Sequence, residues 1–242
     1  MSGQDKLAER LFFDGLGDAG DYDVLAERGY ARLLREFRRH IPRSPTSLRC
    51  VDLGCGSGEF TSRLTSLGLE LYGMDLSPSL VALAQARVEG ATFRVGDIED
   101  TGFEPASFDL VVLSGVLHHF PDPAQVAREC ARILKPGGLA LAYDPHRGNP
   151  FMRLYRCHDS PLYSSKGVTP NEEPVSRAKL EQAFSEAGFG STLVYPVSGV
   201  SFKFVESGVA RFALPIYNAL DRLLDLGPLR RFGSFLVTVA RR

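Results

Sequence analysis

The sequence predicts an α/β fold in which a mainly parallel β-sheet carries helices on both faces. Short apolar runs, which are typical of buried strands, alternate with stretches of helical spacing between residues 49 and 143. A glycine-rich turn directly follows the first run, and helical stretches begin at Ser77-Pro78 and Asp122-Pro123, where a capping residue precedes a proline. The chain has 242 residues, of which 44% are hydrophobic, and this suits one such domain with insertions.

The elements can be placed in order along the chain. A first helix is predicted over residues 30–41, where apolar side chains share one face and arginines spread over the rest. The predicted strands that follow are 49–53, 69–74, 91–95, 108–113 and 138–143. The helices predicted between them are 58–67, 78–88 and 123–134. The stretch Lys135-Pro136-Gly137-Gly138 predicts the end of the last helix and a turn into the next strand.

The rest of the chain departs from this alternation. The further elements that we predict are a helix over 176–187, a strand near 191–197, a helical stretch over 203–226 and a last strand within 232–240. Pro215 should kink or interrupt the helical stretch. We expect residues 1–45 to form a helical N-terminal cap segment and residues 46–242 to form the main domain.

Two insertions rich in aromatic residues, 145–175 and 198–230, are predicted to form a substrate lid over one end of the sheet. The aromatic side chains that could roof an apolar pocket are Phe12, Phe13, Tyr22, Tyr155, Tyr163, Phe202 and Phe204. The alternative for each of them is ordinary packing in the core of the cap. A dry aromatic pocket favours a small organic or lipid-like ligand.

Composition narrows the possible functions. The formal net charge of −1 gives no overall field that would attract nucleic acid or a membrane. The four cysteines lack metal-binding spacing, so we expect no metal site and reduced thiols in a cytoplasmic protein. The N-terminal residues do not resemble a secretory signal, and no apolar run predicts membrane insertion. The sequence leaves the oligomeric state open.

Residues 51–60, VDLGCGSGEF, place Gly54, Gly56 and Gly58 in a strand-to-helix turn. Such a turn presents backbone amides to a ligand, and the ligand crevice of an open α/β sheet lies at the carboxyl ends of its strands. The alternative is a plain tight turn. Glu59 stands where the dinucleotide-binding pattern G-x-G-x-x-G has its last glycine, which argues against a nicotinamide or flavin cofactor.

Acidic residues follow the next two predicted strands. A carboxylate at Asp75 could accept hydrogen bonds from both hydroxyls of a ribose. An acceptor at Asp97 suits an exocyclic amine such as adenine N6, with Ile98 packing against the ring. The alternative in each case is a surface acid at a strand end.

At this point the sequence resembles a known family. The segments VDLGCGSGEF, YGMDLSPS, RVGDIED, FDLVVLSGVLHHFPDP and ILKPGGLALAYDP occur in the order and spacing of class I S-adenosylmethionine-dependent methyltransferases. The most similar subgroup is the one that resembles ubiquinone and menaquinone biosynthesis methyltransferases. The resemblance covers residues 45–145. It implies a Rossmann-like, doubly wound, seven-stranded sheet in the order 3-2-1-4-5-7-6 with the last strand antiparallel, and it implies S-adenosylmethionine as cofactor.

The resemblance also assigns residues to the cofactor. These are Asp52, Gly54, Cys55, Gly56, Gly58, Asp75, Leu76, Asp97, Ile98 and Ser114. Within this set, the glycine turn would hold the methionine part and Asp52 would orient its amino group, directly or through water. Asp75 would hold the ribose, Asp97 and Ile98 would hold the adenine, and the backbone around Ser114 would close the site beside the sulfonium.

Methyl transfer from a sulfonium needs alignment more than acid–base chemistry, because the leaving group departs neutral. Where the acceptor keeps its proton, a general base is needed, and the candidates are His118 and His119, with His119 favoured. The alternative is that one of these histidines packs at the turn while the other faces cofactor or solvent. Asp144 and His146 are candidate substrate contacts, and Arg147 could pair with an acidic substrate group.

The leading hypothesis is an enzyme that methylates a hydroxyl or carboxyl of a small molecule, such as a quinone-like ring, a natural product, or a sugar or lipid intermediate. One alternative is tRNA methylation, in which arginines contact phosphates. Those arginines are Arg32, Arg35, Arg38, Arg39, Arg230, Arg231, Arg241 and Arg242. Another alternative is a cofactor-binding module without catalysis. The match of Asn149-Pro150-Phe151 to the motif of amino-directed methyltransferases is fortuitous, because that motif belongs after the fourth strand.

Overall fold

A computed structural model describes residues 4–19, 23–43, 47–165, 167–203 and 208–242. The predicted roof residues Tyr22 and Phe204 and the predicted domain boundary between residues 45 and 46 lie outside these ranges. The strands are β1 Arg49–Leu53, β2 Glu70–Asp75, β3 Thr92–Val95, β4 Phe108–Ser114, β5 Leu134–Pro145, β6 Ser191–Val197 and β7 Phe235–Arg241.

The strands form one seven-stranded sheet in the order β3-β2-β1-β4-β5-β7-β6. The strands β1 to β5 pair in parallel, and β7 lies antiparallel between β5 and β6. This confirms the predicted sheet order and its antiparallel last strand. The carboxyl ends of β1 to β5 therefore meet along one edge of the sheet, where the ligand crevice of this architecture lies.

Helices cover both faces of the sheet. They are α1 Lys6–Ala19, α2 Glu27–Arg38, α3 Glu59–Leu64, α4 Pro78–Arg87, α5 Ala124–Ile133, α6 Pro150–Arg156, α7 Arg177–Glu186 and α8 Gly208–Leu223. Short 3-10 turns occupy Thr65–Leu67, Leu117–His119 and Gly227–Phe232. The predicted caps form at α4 and α7, where the side chains of Ser77 and Ser176 accept backbone hydrogen bonds.

The structure departs from the sequence predictions at three places. Helix α1 occupies a segment for which no separate helix was predicted. Helix α8 is not interrupted at Pro215, whereas a kink at this residue stays a prediction. Strand β5 begins at Leu134 rather than near residue 138, since Leu134 pairs with Phe108 ahead of a register shift in the β4–β5 ladder.

The core lies on both faces of the central strands. Along β4, Val111 and Leu113 belong to the cluster under α5 and α7, whereas Leu110 and Val112 belong to the cluster under α2 and α3. This double burial is typical of parallel sheets and explains the continuous apolar run in the sequence. All four cysteines are free and buried. Within the described ranges, no helix combines the length and apolarity needed to cross a membrane.

Candidate functional site

The glycine turn between β1 and α3 has two physical reasons for its glycines. Gly54, Gly56 and Gly58 all have positive φ angles, between 52° and 75°. A Cβ on Gly54 would lie 2.5 Å from Cγ2 of Val116, and one on Gly58 would lie 3.0 Å from Cβ of Ala84. Backbone conformation and close packing therefore require glycine here. A ligand that approaches the bare backbone would be an additional reason.

Asp52, near the end of β1, is completely buried beneath the turn. Its carboxylate accepts hydrogen bonds from the hydroxyls of Thr61 at 2.6 Å and Ser114 at 2.7 Å. Burial raises its pKa to about 6, although these two hydroxyls oppose the shift. Ser114 borders the cavity and Asp52 does not, so the Asp52 carboxylate is linked to the cavity wall through the Ser114 hydroxyl.

Asp75 ends β2 and ties the glycine turn to the start of α4. One carboxylate oxygen accepts the backbone N–H of Gly56 at 2.8 Å, and the other accepts that of Ser77 at 3.0 Å. Burial raises the pKa of Asp75, whereas these N–H groups stabilise its charged form. Both oxygens keep lone pairs that could accept a further hydrogen bond. Leu76 beside it is half-buried.

The carboxylate of Asp97, after β3, already has partners within the protein. Its carboxylate accepts the backbone N–H of Glu99 at 2.9 Å and forms an ion pair with Lys6 of α1. Lys6 also pairs with Glu99 at 2.6 Å. Ile98 is buried in the main core cluster. An adenine amine at Asp97 would have to share this carboxylate with Lys6.

Helix α1 lies across the edge where the carboxyl ends of the strands meet, and the contacts that its polar side chains make there were not predicted from the sequence. Asp14 of α1 accepts hydrogen bonds from the hydroxyls of Ser77 at 2.6 Å and Ser79 at 2.9 Å. Glu9 accepts a hydrogen bond from the side-chain amide of Asn171 at 2.9 Å. Together with Lys6, these contacts bind the helix to the ends of β2 and β3 and to the insertion after β5.

A cavity of about 890 Å³ opens at this edge, and its wall is largely apolar. At the strand ends it is lined by Gly54, Cys55, Ser57, Ser114, Gly115 and His118. On the opposite side it is lined by Phe12, Phe13, Leu16, Tyr155, Phe202 and Tyr217. Four of the predicted roof aromatics thus border the cavity. Tyr163 does not, and its ring packs edge-on against that of His158.

His118 and His119 lie in the 3-10 turn after β4 and both border the cavity. Nδ1 of His118 lies 2.9 Å from Oδ1 of Asp144, and the backbone N–H of His118 donates to the same oxygen. Burial lowers the pKa of His118 well below its usual value, so this imidazole is neutral at pH 7. Burial likewise raises the pKa of Asp144, to about 8.

His119 has the opposite electrostatic environment. Its Nδ1 lies 3.3 Å from a carboxylate oxygen of Glu9 and 3.4 Å from the hydroxyl of Thr169. Burial lowers the pKa of His119, but Glu9 and the nearby Glu172 outweigh it and the net shift is upward. The ring also packs edge-on against Phe13. His119 therefore holds its proton more firmly than an ordinary histidine does, and it anchors α1.

The candidate substrate contacts after β5 require correction. Asp144 is fully buried behind His118. His146 does not border the cavity, and its Nδ1 lies 2.8 Å from the carbonyl oxygen of Gly233. Arg147 pairs with Glu173 at 2.5 Å and with Asp159 at 3.1 Å, so its charge is neutralised within the protein. These side chains organise the insertion and do not face the cavity.

Asn149-Pro150-Phe151 starts helix α6. The side-chain oxygen of Asn149 accepts the backbone N–H groups of Phe151 and Met152, each at 3.0 Å, and its amide donates to the carbonyl of Phe232 at 2.7 Å. This is the geometry of a helix N-cap with proline at the first position. It explains the motif without a role in catalysis.

Two groups of side chains bring possible metal ligands close together, although the sequence predicts no metal site. Ligand atoms of His118, His119 and Glu172 lie within 4.8 Å of one another. Both histidines direct Nδ1 at a carboxyl group of the protein, and in the neutral His118 this leaves Nε2 for a metal or a substrate. The second group is Cys157, Asp159 and Glu173, where Arg147 already supplies the positive charge between the two carboxylates.

Comparisons with known proteins connect this site to a family. The family profile described as "Methyltransferase domain" matches residues 51–142. A ubiquinone biosynthesis O-methyltransferase from Xanthomonas axonopodis pv. citri (strain 306) is 39% identical in an alignment 99 residues long, and this alignment covers 39% of this chain and 41% of that protein. The chain therefore spans about two fifths of the length of this curated relative.

Solved structures match over more of the chain. An S-adenosylmethionine-dependent methyltransferase from Mesorhizobium loti is 25% identical, with a TM-score of 0.60 over 86% of this chain and 96% of that one. Haemonchus contortus phosphoethanolamine N-methyltransferase 2, solved with phosphomonomethylethanolamine and S-adenosylhomocysteine, is 19% identical, with a TM-score of 0.68 over 99% of this chain and 59% of that one. The second match shows likeness of fold alone. These findings confirm the resemblance that the motifs indicate.

Proposed function

We propose that the protein, whose residues 51–142 match the family profile of methyltransferase domains, is an S-adenosylmethionine-dependent methyltransferase that transfers a methyl group to a hydroxyl or carboxyl oxygen of a small, largely apolar molecule. S-adenosylmethionine is the cofactor of this family. The observation that carries the proposal is one cavity that joins the glycine turn to a wall of aromatic and aliphatic side chains. Such a wall suits an organic ring or chain better than a highly charged acceptor.

The proposed cofactor site runs along the carboxyl ends of β1 to β4. The turn from Gly54 to Gly58 takes the methionine part, and Asp52 acts through the Ser114 hydroxyl. Asp75 takes the ribose with the lone pairs that its bonds to the backbone leave free. Asp97 and Ile98 take the adenine, with Lys6 of α1 over the same edge.

The proposed reaction is an in-line displacement at the methyl carbon. A lone pair of the acceptor oxygen forms the new C–O bond while the C–S bond breaks, and its electron pair returns to sulfur as a neutral thioether. The protein contributes mainly by holding oxygen, carbon and sulfur in line, and such positioning can supply roughly 7–11 kcal/mol of the barrier. A carboxylate acceptor needs no base, whereas a hydroxyl must lose its proton.

For a hydroxyl acceptor we assign the general base to His118 rather than to His119, which the sequence favoured. His118 is neutral because burial lowers its pKa, and its Nδ1 is occupied by Asp144, so Nε2 is the atom that remains to accept a proton. Glu9 raises the pKa of His119, so this imidazole is protonated more readily than that of His118 and is the poorer candidate for a base. Asp144 orients the His118 ring.

Oxygen as the acceptor atom is supported by the curated relatives, which are named ubiquinone biosynthesis O-methyltransferases. Methylation of tRNA has less support, because two of the eight arginines that it would use, Arg32 and Arg39, form ion pairs with Glu36, and Arg32 also pairs with Asp225. Arginines neutralised in this way offer little charge to a phosphate backbone.

The proposal can be tested by incubating the purified protein with S-adenosylmethionine that carries a labelled methyl group and a panel of amphiphilic phenols and aromatic carboxylic acids. We expect S-adenosylhomocysteine release that depends on the acceptor, and a label on oxygen in the product. Label on nitrogen or carbon, or transfer only to bulk tRNA, would overturn the acceptor assignment. Cofactor binding with no release for any acceptor in the panel or in a cell extract would instead indicate a module without catalysis.

A further inference from the structure

Helix α8 places polar side chains toward the protein and apolar side chains toward the outside, which is the reverse of an ordinary surface helix. Its polar residues Asn218 and Asp221 face the protein: the Asn218 amide exchanges hydrogen bonds with both backbone groups of Phe202, and Asp221 accepts the backbone N–H of Gly199 at 2.6 Å. Asp221 is only 1% exposed. A helix of a water-soluble protein normally places its polar side chains outward.

The opposite side of α8 is apolar and exposed. We call Phe212, Ile216, Leu220 and Leu223 the α8 outer face; they follow one another at the spacing of successive helical turns. Phe212 is 89% exposed and Ile216 is 64% exposed. Contiguous exposed apolar side chains of this kind mark a surface that contacts something apolar.

The α8 outer face continues into the cavity. Ile216 and Leu220 are exposed and also border the cavity, and so does Leu154 of the neighbouring helix α6. The two helices are joined by an edge-on contact between the rings of Phe151 and Tyr217. The exposed apolar surface therefore meets the cavity wall at Leu154, Ile216 and Leu220.

Positive charges flank this surface. Arg153 lies beside Leu154 on α6, and Arg222 lies beside Leu223 on α8. Both side chains belong to exposed residues, and neither forms an ion pair with any residue that the structure describes. Arg231 follows in the next turn and stacks on Phe232. Arginines at the border of an apolar helix face match the anionic headgroups above the hydrocarbon of a membrane.

We propose that the α8 outer face docks the protein on an anionic lipid surface, with the apolar side chains among the acyl chains and Arg153 and Arg222 at the headgroups. A second copy of the chain bound there would cover the cavity opening that Ile216 and Leu220 border. A lipid surface would instead leave an amphiphilic acceptor an apolar route into the cavity. That route rests on the proposed function, whereas the docking itself does not.

The test measures docking without methyl transfer. The full-length protein is sedimented with vesicles of phosphatidylcholine alone and with vesicles that also contain phosphatidylglycerol. We expect binding to the anionic vesicles that weakens as salt is added. The variant Phe212→Gln/Leu223→Gln changes two residues that do not border the cavity. Its affinity for the anionic vesicles should fall by about tenfold or more. The matched control Leu193→Gln changes an exposed leucine of β6 toward the end of the sheet away from the cavity, and it should bind like the wild type.

A second variant, Arg153→Gln/Arg222→Gln, tests the charges separately. Its binding to anionic vesicles should fall by about five- to thirtyfold, with no change on neutral vesicles. Circular dichroism of each variant checks that it is folded. The proposal is overturned if the wild type shows no preference for anionic vesicles, or if both variants bind as it does. It is also overturned if light scattering shows a wild-type dimer that Phe212→Gln/Leu223→Gln converts to a monomer, since the face would then join two copies.

Discussion

The two sides of the cavity are built differently. The side formed by the strand ends has positive-φ glycines packed against neighbouring side chains, and carboxylates that accept hydrogen bonds from the fold, as Asp52 and Asp75 do. The side formed by α6 and α8 carries exposed apolar residues such as Ile216 and Leu154. The first side is formed by contacts within the fold that need no ligand. Among the described residues, nothing covers much of the apolar surface of the second side.

This difference matches the proposed division of roles, in which the strand ends bind the cofactor and the helices α6 and α8 face the acceptor. A cofactor that does not vary favours a pre-formed site, because pre-organisation lowers the cost of binding. The acceptor side has to meet a particular molecule, and its side chains are held by long-range contacts within the insertions. The seam between the two sides is the turn that carries His118 and His119. Substitutions on either side of that seam should therefore behave differently.

The largest effect is expected at the seam itself. His118→Gln should lower kcat for a hydroxyl acceptor by about 10²–10⁴-fold, because it removes the proposed base, with little change in cofactor affinity. His119→Gln should mainly weaken the anchoring of α1, with a smaller loss of kcat. Steady-state kinetics on both variants checks this. Equal losses in kcat for the two would remove the distinction between the histidines.

On the side of the strand ends, Gly54→Ala should destabilise the fold strongly. The added Cβ would lie 2.5 Å from the Val116 side chain, on a residue with a φ of +74°. We therefore expect the free energy of unfolding to fall by about 2–4 kcal/mol, and we expect cofactor binding to become too weak to measure. Gly90→Ala is the matched control. It has a φ of +81° and open space around the new atom, so its cost should be only about 1 kcal/mol. Urea denaturation of the two variants measures the difference, and equal costs would show that the clash with Val116 is unimportant.

Stability should depend on pH through Asp144, beneath the seam. Burial raises its pKa from 3.8 to about 8, so between these values the folded state holds a proton that the unfolded chain releases. The contribution of this group to stability therefore falls as pH rises from about 4 to about 8. Between about pH 5 and pH 8, the free energy of unfolding of Asp144→Asn should fall by about 1–3 kcal/mol less than that of the wild type, as measured by urea denaturation. Asp18→Asn, at an exposed position of α1, is the control and should keep the wild-type slope. A wild-type slope in Asp144→Asn would contradict the assignment.

The smallest effect is expected where α1 covers the site. Glu9→Gln removes the charge that raises the pKa of His119, so that pKa should fall while the hydrogen bond from Asn171 can persist. The helix should open more readily, by about 1 kcal/mol in hydrogen exchange of residues 6–19. An NMR titration of His119 and the exchange rates measure both effects. The control Glu89→Gln, an exposed residue after α4, should change neither.

The strand-end side could be predicted from the sequence because its signals are local. Gly54, Asp75 and Ser77-Pro78 each define a turn or a cap within a few residues, and the alternation of strands and helices specifies the sheet. The sheet order itself came from the resemblance and not from the residues alone. Local chemistry also explains Asn149, whose capping role the sequence left unassigned.

The other features depend on contacts between residues far apart in the chain. No local pattern shows that His119 pairs with Glu9, that Arg147 is neutralised by Glu173, or that Asp144 lies behind His118. Helix α1 did leave a signal, since Phe12, Phe13 and Leu16 have the spacing of one helical face, but the surrounding glycines and charges obscured it. The inverted orientation of α8 follows from its contacts with Phe202 and Gly199, which only the folded chain shows.

The central claim is that the glycine turn and the carboxylate beside it hold the adenosyl cofactor. It is tested most directly by calorimetric titration of S-adenosylhomocysteine into the wild type, into Asp75→Asn and into the control Asp109→Asn, which changes a carboxylate paired with Lys135 at the opposite end of the sheet. We predict micromolar affinity for the wild type and the control, and an affinity about 10–100-fold weaker for Asp75→Asn. No binding to the folded wild-type protein, or equal affinity in all three, would contradict the account.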